Sequence, residues 1–274
     1  MGAAPRTEVP FIMCGPEVIF RVAPVTSRGE MFCGAMETGS WVTGPDGHPC
    51  FGSLGVLLDD ALGYPVVHSR PADRWATSTE ISVSFCAPIP ADASTLRAES
   101  RVITLGPAGG VGQVCVTDPA GQLVAFGTQR LRWVSGTPAA LDGAGTHPRS
   151  PAPAPSGAPA LQQLGASISA TAEGAVLTLP PQQALSNPMG ALHGGILFCA
   201  SEMAGHAAVQ RPGEGLTTAS VHIAYVRPGT VTEPTAFEAV TLHRGRTLAV
   251  SQVTSRNAAG KTCTLATVTC HRTG

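Results

Sequence analysis

A carboxylate set inside an apolar helix is costly unless something uses it, and this chain does so twice. The stretch Asn187-Pro188-Met189-Gly190-Ala191-Leu192-His193-Gly194-Gly195 runs from an Asn-Pro turn into an apolar segment, 196–208, whose only acid is Glu202. Two glycines opening a helix leave backbone N–H groups uncovered at the positive end of the helix dipole. A developing oxyanion or an anionic group can be held there. The other case is 54–67, LGVLLDDALGYPVV, apolar on nearly every face except at Asp59 and Asp60. Its pattern predicts a buried helix disturbed in its last turn by Pro65.

The elements around these helices are strands. β-Branched and aromatic runs predict strands over 17–24, 30–37, 78–86, 96–105, 111–118 and 122–134, with Asp118-Pro119-Ala120-Gly121 as a hairpin turn. In the second half, strands are predicted at 166–179 with a break at Glu173-Gly174, then at 217–227, 235–243, 246–256 and 261–271. Between the halves, 20 of the 26 residues from 135 to 160 are Ala, Pro, Gly or Ser. Such a stretch buries no core and reads as a linker. The chain is therefore expected to divide into an N-terminal domain, 1–134, a linker, 135–160, and a C-terminal domain, 161–274.

The halves also align with each other. At an offset of 143, Gly52 falls on Gly195, Asp59 on Glu202 and Ala61 on Ala204; at 140, Thr77 falls on Thr217, Phe85 on Tyr225 and Pro88 on Pro228. A repeat of this length is a duplicated domain, and two copies on one chain are expected to pack about a pseudo-two-fold axis.

Composition excludes several classes of partner. Net charge is −1 and only 13% of residues are charged, so neither nucleic acid nor an anionic membrane is an expected partner. The eight cysteines are scattered without a Cys-x-x-Cys pair, as in a reducing compartment. No run reaches about eighteen apolar residues, and 1–13 does not read as a leader; a cytoplasmic location is expected.

Asn187, His193-Gly194-Gly195, the acid nine residues after the histidine, Tyr225-Val226-Arg227-Pro228 and Gly245-Arg246 together resemble the hotdog-fold thioesterases of the PaaI-like, hydroxyphenylacetyl-CoA thioesterase type. The resemblance covers nearly all of 161–274 and, more weakly, 17–134. It implies an α+β double hotdog: two antiparallel sheets, each wrapped around a central helix, packed as a pseudo-dimer. It also implies hydrolysis of acyl-CoA thioesters without metal or organic cofactor, and further association as a homodimer. In that family each site is shared, with the HGG loop from one unit and the acid from the other.

Carried onto this chain, one site combines Asn187, His193, Gly194 and Gly195 with Asp59 as base or nucleophile, Asp60 being the alternative. The other combines Glu202 with a loop that has Gly44, Cys50 and Phe51 where the first has Asn187, His193 and Gly194. One working site is expected, with Glu202 structural. Asn187 would donate an amide or hold its loop, His193 would shape the loop, and Arg227 and Arg246 would contact CoA phosphates.

Three other chemistries were weighed. His193, Glu202 and His206 fit no common zinc spacing. Gly52-Ser53-Leu54-Gly55 lacks the residue between Gly and Ser of a nucleophile elbow. A hydratase would need a His–Asp arrangement that the residues around His193 do not resemble. The remaining alternative is a non-catalytic acyl-CoA or lipid-binding protein that keeps the groove.

Overall fold

The structure is a computed structural model that describes residues 7–8, 11–44, 47–136, 156–211 and 215–272. Thirteen strands form one antiparallel sheet in the order β1-β2-β3-β5-β6-β7-β4-β10-β13-β12-β11-β9-β8. The N-terminal strands are β1 (Thr7–Glu8), β2 (Val22–Arg28), β3 (Met31–Glu37), β4 (Arg74–Phe85), β5 (Thr95–Gly106), β6 (Gly109–Thr117) and β7 (Leu123–Ser135). The C-terminal strands are β8 (Ser167–Ala170), β9 (Gly174–Leu179), β10 (Leu216–Tyr225), β11 (Thr235–Arg244), β12 (Leu248–Arg256) and β13 (Thr262–Arg272).

Each half wraps one long helix, α2 (Gly55–His68) in the first and α4 (Gly194–Val209) in the second. This is the expected double hotdog. Its two sheets are also hydrogen-bonded into one, because β4 pairs with β10, Val83 opposite Val221 and Ser82 opposite His222. The offset of 140 equates Ser82 with His222, so the pseudo-two-fold axis passes through that pair.

Curvature of the sheet explains why both helices are apolar on nearly every face: sheet covers one side and the other helix covers the rest. Leu57, Leu58 and Leu62 on α2 and Ile196, Phe198 and Cys199 on α4 have essentially no exposure. At about 1.5–3 kcal/mol for each large side chain, this burial is a large contribution to the stability of the core. α2 runs through Pro65 to His68, continuous where a disturbance was expected.

One element departs from the predicted pattern. Residues 15–19 form a short helix, α1 (Gly15–Ile19), where a strand over 17–24 is predicted, and β2 starts only at Val22. The cause is local: Pro16 sits in the first turn, and the Glu17 carboxylate accepts from the Cys14 N–H at 3.0 Å, a capping-box contact. α3 (Ala160–Gln163) occupies the corresponding place before β8. The predicted linker falls largely outside the described residues. No described helix is long and apolar enough to cross a membrane.

Candidate active site

Asp59 projects from the second turn of α2, and its side chain is 13% exposed. One oxygen, Oδ1, accepts from Ser78 Oγ at 3.0 Å and from Gln129 Nε2 at 2.7 Å. The same amide nitrogen lies 2.6 Å from Ser78 Oγ, which closes a three-member network. Ser78 turns inward because β4 shifts register between Ser78 and Glu80, and Gln129 reaches in from β7, where it pairs with Ile81. The other oxygen, Oδ2, accepts from the Gly195 N–H of the opposite half at 3.1 Å. Asp59 and Gly195, 136 residues apart in the chain, are thus brought together.

The loop that meets Asp59 is shaped by its own side chains. Asn187 Oδ1 accepts from the Met189 and Ala191 N–H groups at 2.9 and 3.0 Å, two bonds that brace the turn. His193 is the N-cap of α4, with Nδ1 3.0 Å from the Gly195 N–H. The Gly194 carbonyl accepts from Tyr225 Oη at 3.0 Å, while its N–H has no partner among the described residues. That donor lies at the positive end of α4, on the wall of a cleft of about 570 Å³ that Asp59 also lines.

Behind the loop lies a buried charge cluster. His193 Nε2 is 3.6 Å from Glu17 Oε1 and 3.8 Å from Asp60 Oδ1, while Nδ1 is 3.4 Å from Asp59 Oδ2. Burial works against a charged ring, but Glu17 first, and then Asp59 and Asp60, outweigh it and push His193 up to about 9. Burial pushes Asp60 well above the usual carboxylate range, reinforced by Glu17 and opposed by His193. Asp60, the alternative to Asp59, therefore faces the back of His193 and not Gly195, as the ~100° between successive helical residues requires. Burial, and then the Asp59 charge, raises the Tyr225 hydroxyl.

Donor atoms of Glu17, Asp60 and His193 lie within 4.8 Å of one another, so the ring and the two carboxylates form one buried cluster. The metal set weighed from the sequence is not assembled: His193 lies in this cleft, whereas Glu202 and His206 line another.

That second cleft, of about 820 Å³, is related to the first by the repeat. Glu202 is 2% exposed; Oε2 accepts from the Gly52 N–H at 3.0 Å and Cys50 Sγ at 3.4 Å, and Oε1 from Thr218 Oγ1 at 2.5 Å. These contacts mirror those of Asp59 to Gly195 and Ser78. Phe51 stands where Gly194 stands in the first cleft, its ring 4.6 Å from that of Phe85. An acid only 2% exposed is poorly placed to meet water, whereas the Asp59 side chain keeps a 13% exposed edge.

Leu197 lines the first cleft, while Val56, Leu57, Ile196 and Phe198 are core. Arg227 lines the rim, with Nη1 donating to the Thr262 carbonyl at 2.9 Å. Arg246 is not part of either cleft. It sits in the exposed β11–β12 turn beside the end of β13, where its carbonyl accepts from Arg272 Nε, while Arg227 is beside the start of that strand.

Sequence reasoning missed Glu17, Ser78 and Gln129. A signal existed for Ser78, because the repeat places Thr218, a second hydroxyl, at the same position. Gln129 had none, since Val268 occupies its counterpart on β13.

Residues 189–264 match the family model described as the thioesterase superfamily. No curated protein matches the sequence. Among solved structures, the tesB protein of Mycobacterium avium subsp. paratuberculosis is similar at 12% identity and TM-score 0.63, covering 94% of this chain and 98% of that one. An acyl-CoA thioesterase II of Mycobacterium marinum gives 10% identity and TM-score 0.63, with 93% and 96% covered. An acyl-ACP thioesterase of Bacteroides thetaiotaomicron gives 11% and 0.55, with 89% and 98% covered. At such identities the likeness establishes a shared fold over nearly the whole chain.

Proposed function

We propose that this chain is a thioester hydrolase acting on acyl-CoA, of the PaaI-like type, built as a fused pseudo-dimer of units 1–134 and 161–274 that associates further as a homodimer in the cytoplasm. The observation that carries the reading is the meeting in one cleft of the Asp59 carboxylate with Gly194 at the start of α4, whose N–H has no partner among the described residues. A thioester carbonyl seated on that N–H is polarised, and the negative charge formed on attack stays at the helix N-terminus. Asp59 either takes a proton from the attacking water or attacks the carbonyl itself. Ser78 and Gln129 hold it in position. The products are a free carboxylic acid and the CoA thiol. Arg227 at the rim suits the CoA phosphates.

The test is release of CoA thiol from a panel of short, long and aromatic acyl-CoAs by wild type and Asp59→Asn. Turnover that falls by about 10³ in the variant supports the reading, a loss in the range expected for a general base. No turnover on any member of the panel, with tight binding of one, would instead identify a non-catalytic binding protein.

A further inference from the structure

The hydrolytic reading leaves Glu17 unused, although the fold goes to some length to deliver it. Glu17 is 2% exposed and comes from α1 of the first half, yet it meets His193 of the second. One carboxylate oxygen is fixed by the Cys14 N–H, which turns the other toward Nε2. α1 can lie this close only because position 15 is glycine: a Cβ there would stand 1.9 Å from the Ala184 carbonyl oxygen of the turn at Gln183–Leu185. The second cleft has none of this. Cys50 replaces His193, Met203 replaces Asp60 by the repeat, and α3, Ala-Leu-Gln-Gln, carries no acid.

We propose that Glu17 is a positioning residue of the first cleft: its pairing with His193 Nε2 holds the ring as an imidazolium whose Nδ1–H faces Asp59, fixing a positive charge beside the Gly194 N–H. The titratable groups around the ring are Glu17 from α1, Asp59 and Asp60 from α2 with Tyr64 behind Asp60, and Tyr225 of β10 over Gly194. Among the described residues no other cation stands in this cluster to oppose a charged ring.

A neutral ring offers Nδ1 as acceptor to the Gly195 N–H at 3.0 Å. A charged ring turns its Nδ1–H to Asp59 Oδ2, 3.4 Å away, and leaves the Gly195 N–H to that same oxygen at 3.1 Å. The charged arrangement gives up the cap bond from the Gly195 N–H to Nδ1 and ties both that N–H and the ring to the Asp59 carboxylate. Burial alone would favour the neutral ring; the acid behind it reverses that preference, which is why His193 is pushed up to about 9.

The catalytic consequence rests on the thioester-hydrolase reading, but the charge itself is tested without substrate. His193 is titrated by ¹⁵N NMR of the imidazole in wild type and Glu17→Gln, with His193→Gln used to assign the signal. A wild-type midpoint near 9 that falls by about one pH unit or more in Glu17→Gln supports the proposal. A wild-type midpoint at or below the ordinary histidine value, or one that Glu17→Gln leaves in place, overturns it, and the wild-type arm decides even if the variant does not fold.

With an acyl-CoA that turns over, the alkaline limb of kcat/KM should move down with the midpoint, costing about threefold or more at pH 8.5 relative to pH 6.5. A Glu17 that only supports the fold would lower stability and leave that limb unmoved. Absence of turnover on every acyl-CoA with a shifted midpoint would reject the hydrolase reading alone.

Discussion

Replacing Gly194 by alanine should separate activity from stability. A Cβ built at Gly194 stands 2.6 Å from Asp59 Oδ2 and 3.2 Å from its Cγ and Oδ1. Ordinary van der Waals contact begins near 3.4 Å, so one partner must give by about 0.8 Å, the difference between 3.4 and 2.6. Asp59 yields reluctantly, since Ser78, Gln129 and the Gly195 N–H all hold it, each bond being worth about 1 kcal/mol. A misplacement approaching ~1 Å at the reacting centre costs about 10²-fold in rate. The backbone gains, because alanine is favoured over glycine in a helix by up to about 1 kcal/mol.

Gly194→Ala should therefore keep its unfolding free energy within about 1 kcal/mol of wild type, while kcat for CoA release falls about a hundredfold. Denaturant unfolding and steady-state thiol release on the same preparation check both halves. A kcat within about threefold of wild type would show that Asp59 does not work against this loop, and the site reasoning would fail with it.

Glu202→Gln should act in the opposite sense: a buried acceptor loses some of its three donors, costing about 1–3 kcal/mol of stability, with kcat changed less than about threefold. A loss of kcat equal to that in Asp59→Asn would mean that both clefts work. Arg227→Ala should raise KM for acyl-CoA about tenfold, in line with the loss of one charge-assisted phosphate contact, and leave KM for a truncated pantetheine thioester unchanged; equal effects on both would remove Arg227 from the phosphate site.

Stability should fall as pH rises. His193, lifted from 6.5 to about 9, favours the folded state fully below 6.5 and loses that contribution, on the order of 3 kcal/mol, as pH climbs through 9. The raised Asp60 acts in the same direction, because the unfolded chain ionises it more readily. Urea midpoints from pH 6 to 9.5 should decline for wild type, and Asp60→Asn should be the more stable protein at pH 8. A midpoint lower than wild type there would contradict the cost assigned to burying that acid.

Much of this molecule is legible in the chain because its signals are local and repeated. The offsets of 143 and 140 pair the acids, glycines and strand ends, and the structure places those pairs about one axis, Ser82 opposite His222 and Asp59 opposite Glu202 in role. The apolar helices announce their burial, and the HGG segment announces an uncovered helix start. The α1 segment lies where the β-branched run predicts strand, although Pro16 and Glu17 beside that run are signals of a helix start.

Local pattern and repetition along the chain are thus enough for the duplicated architecture and for the short set of residues from which a site could be made. Tertiary structure alone decided which of them act together. Asp59 and Asp60 are adjacent in sequence and indistinguishable by type; the ~100° helical turn between them sends one to Gly195, 136 residues away, and the other behind His193. Glu202 is as good a carboxylate as Asp59 until its exposure, 2%, is known. Glu17 gained a role only when a glycine-backed helix of one half met the other. These distinctions depend on contacts between distant segments, and no local pattern encodes them.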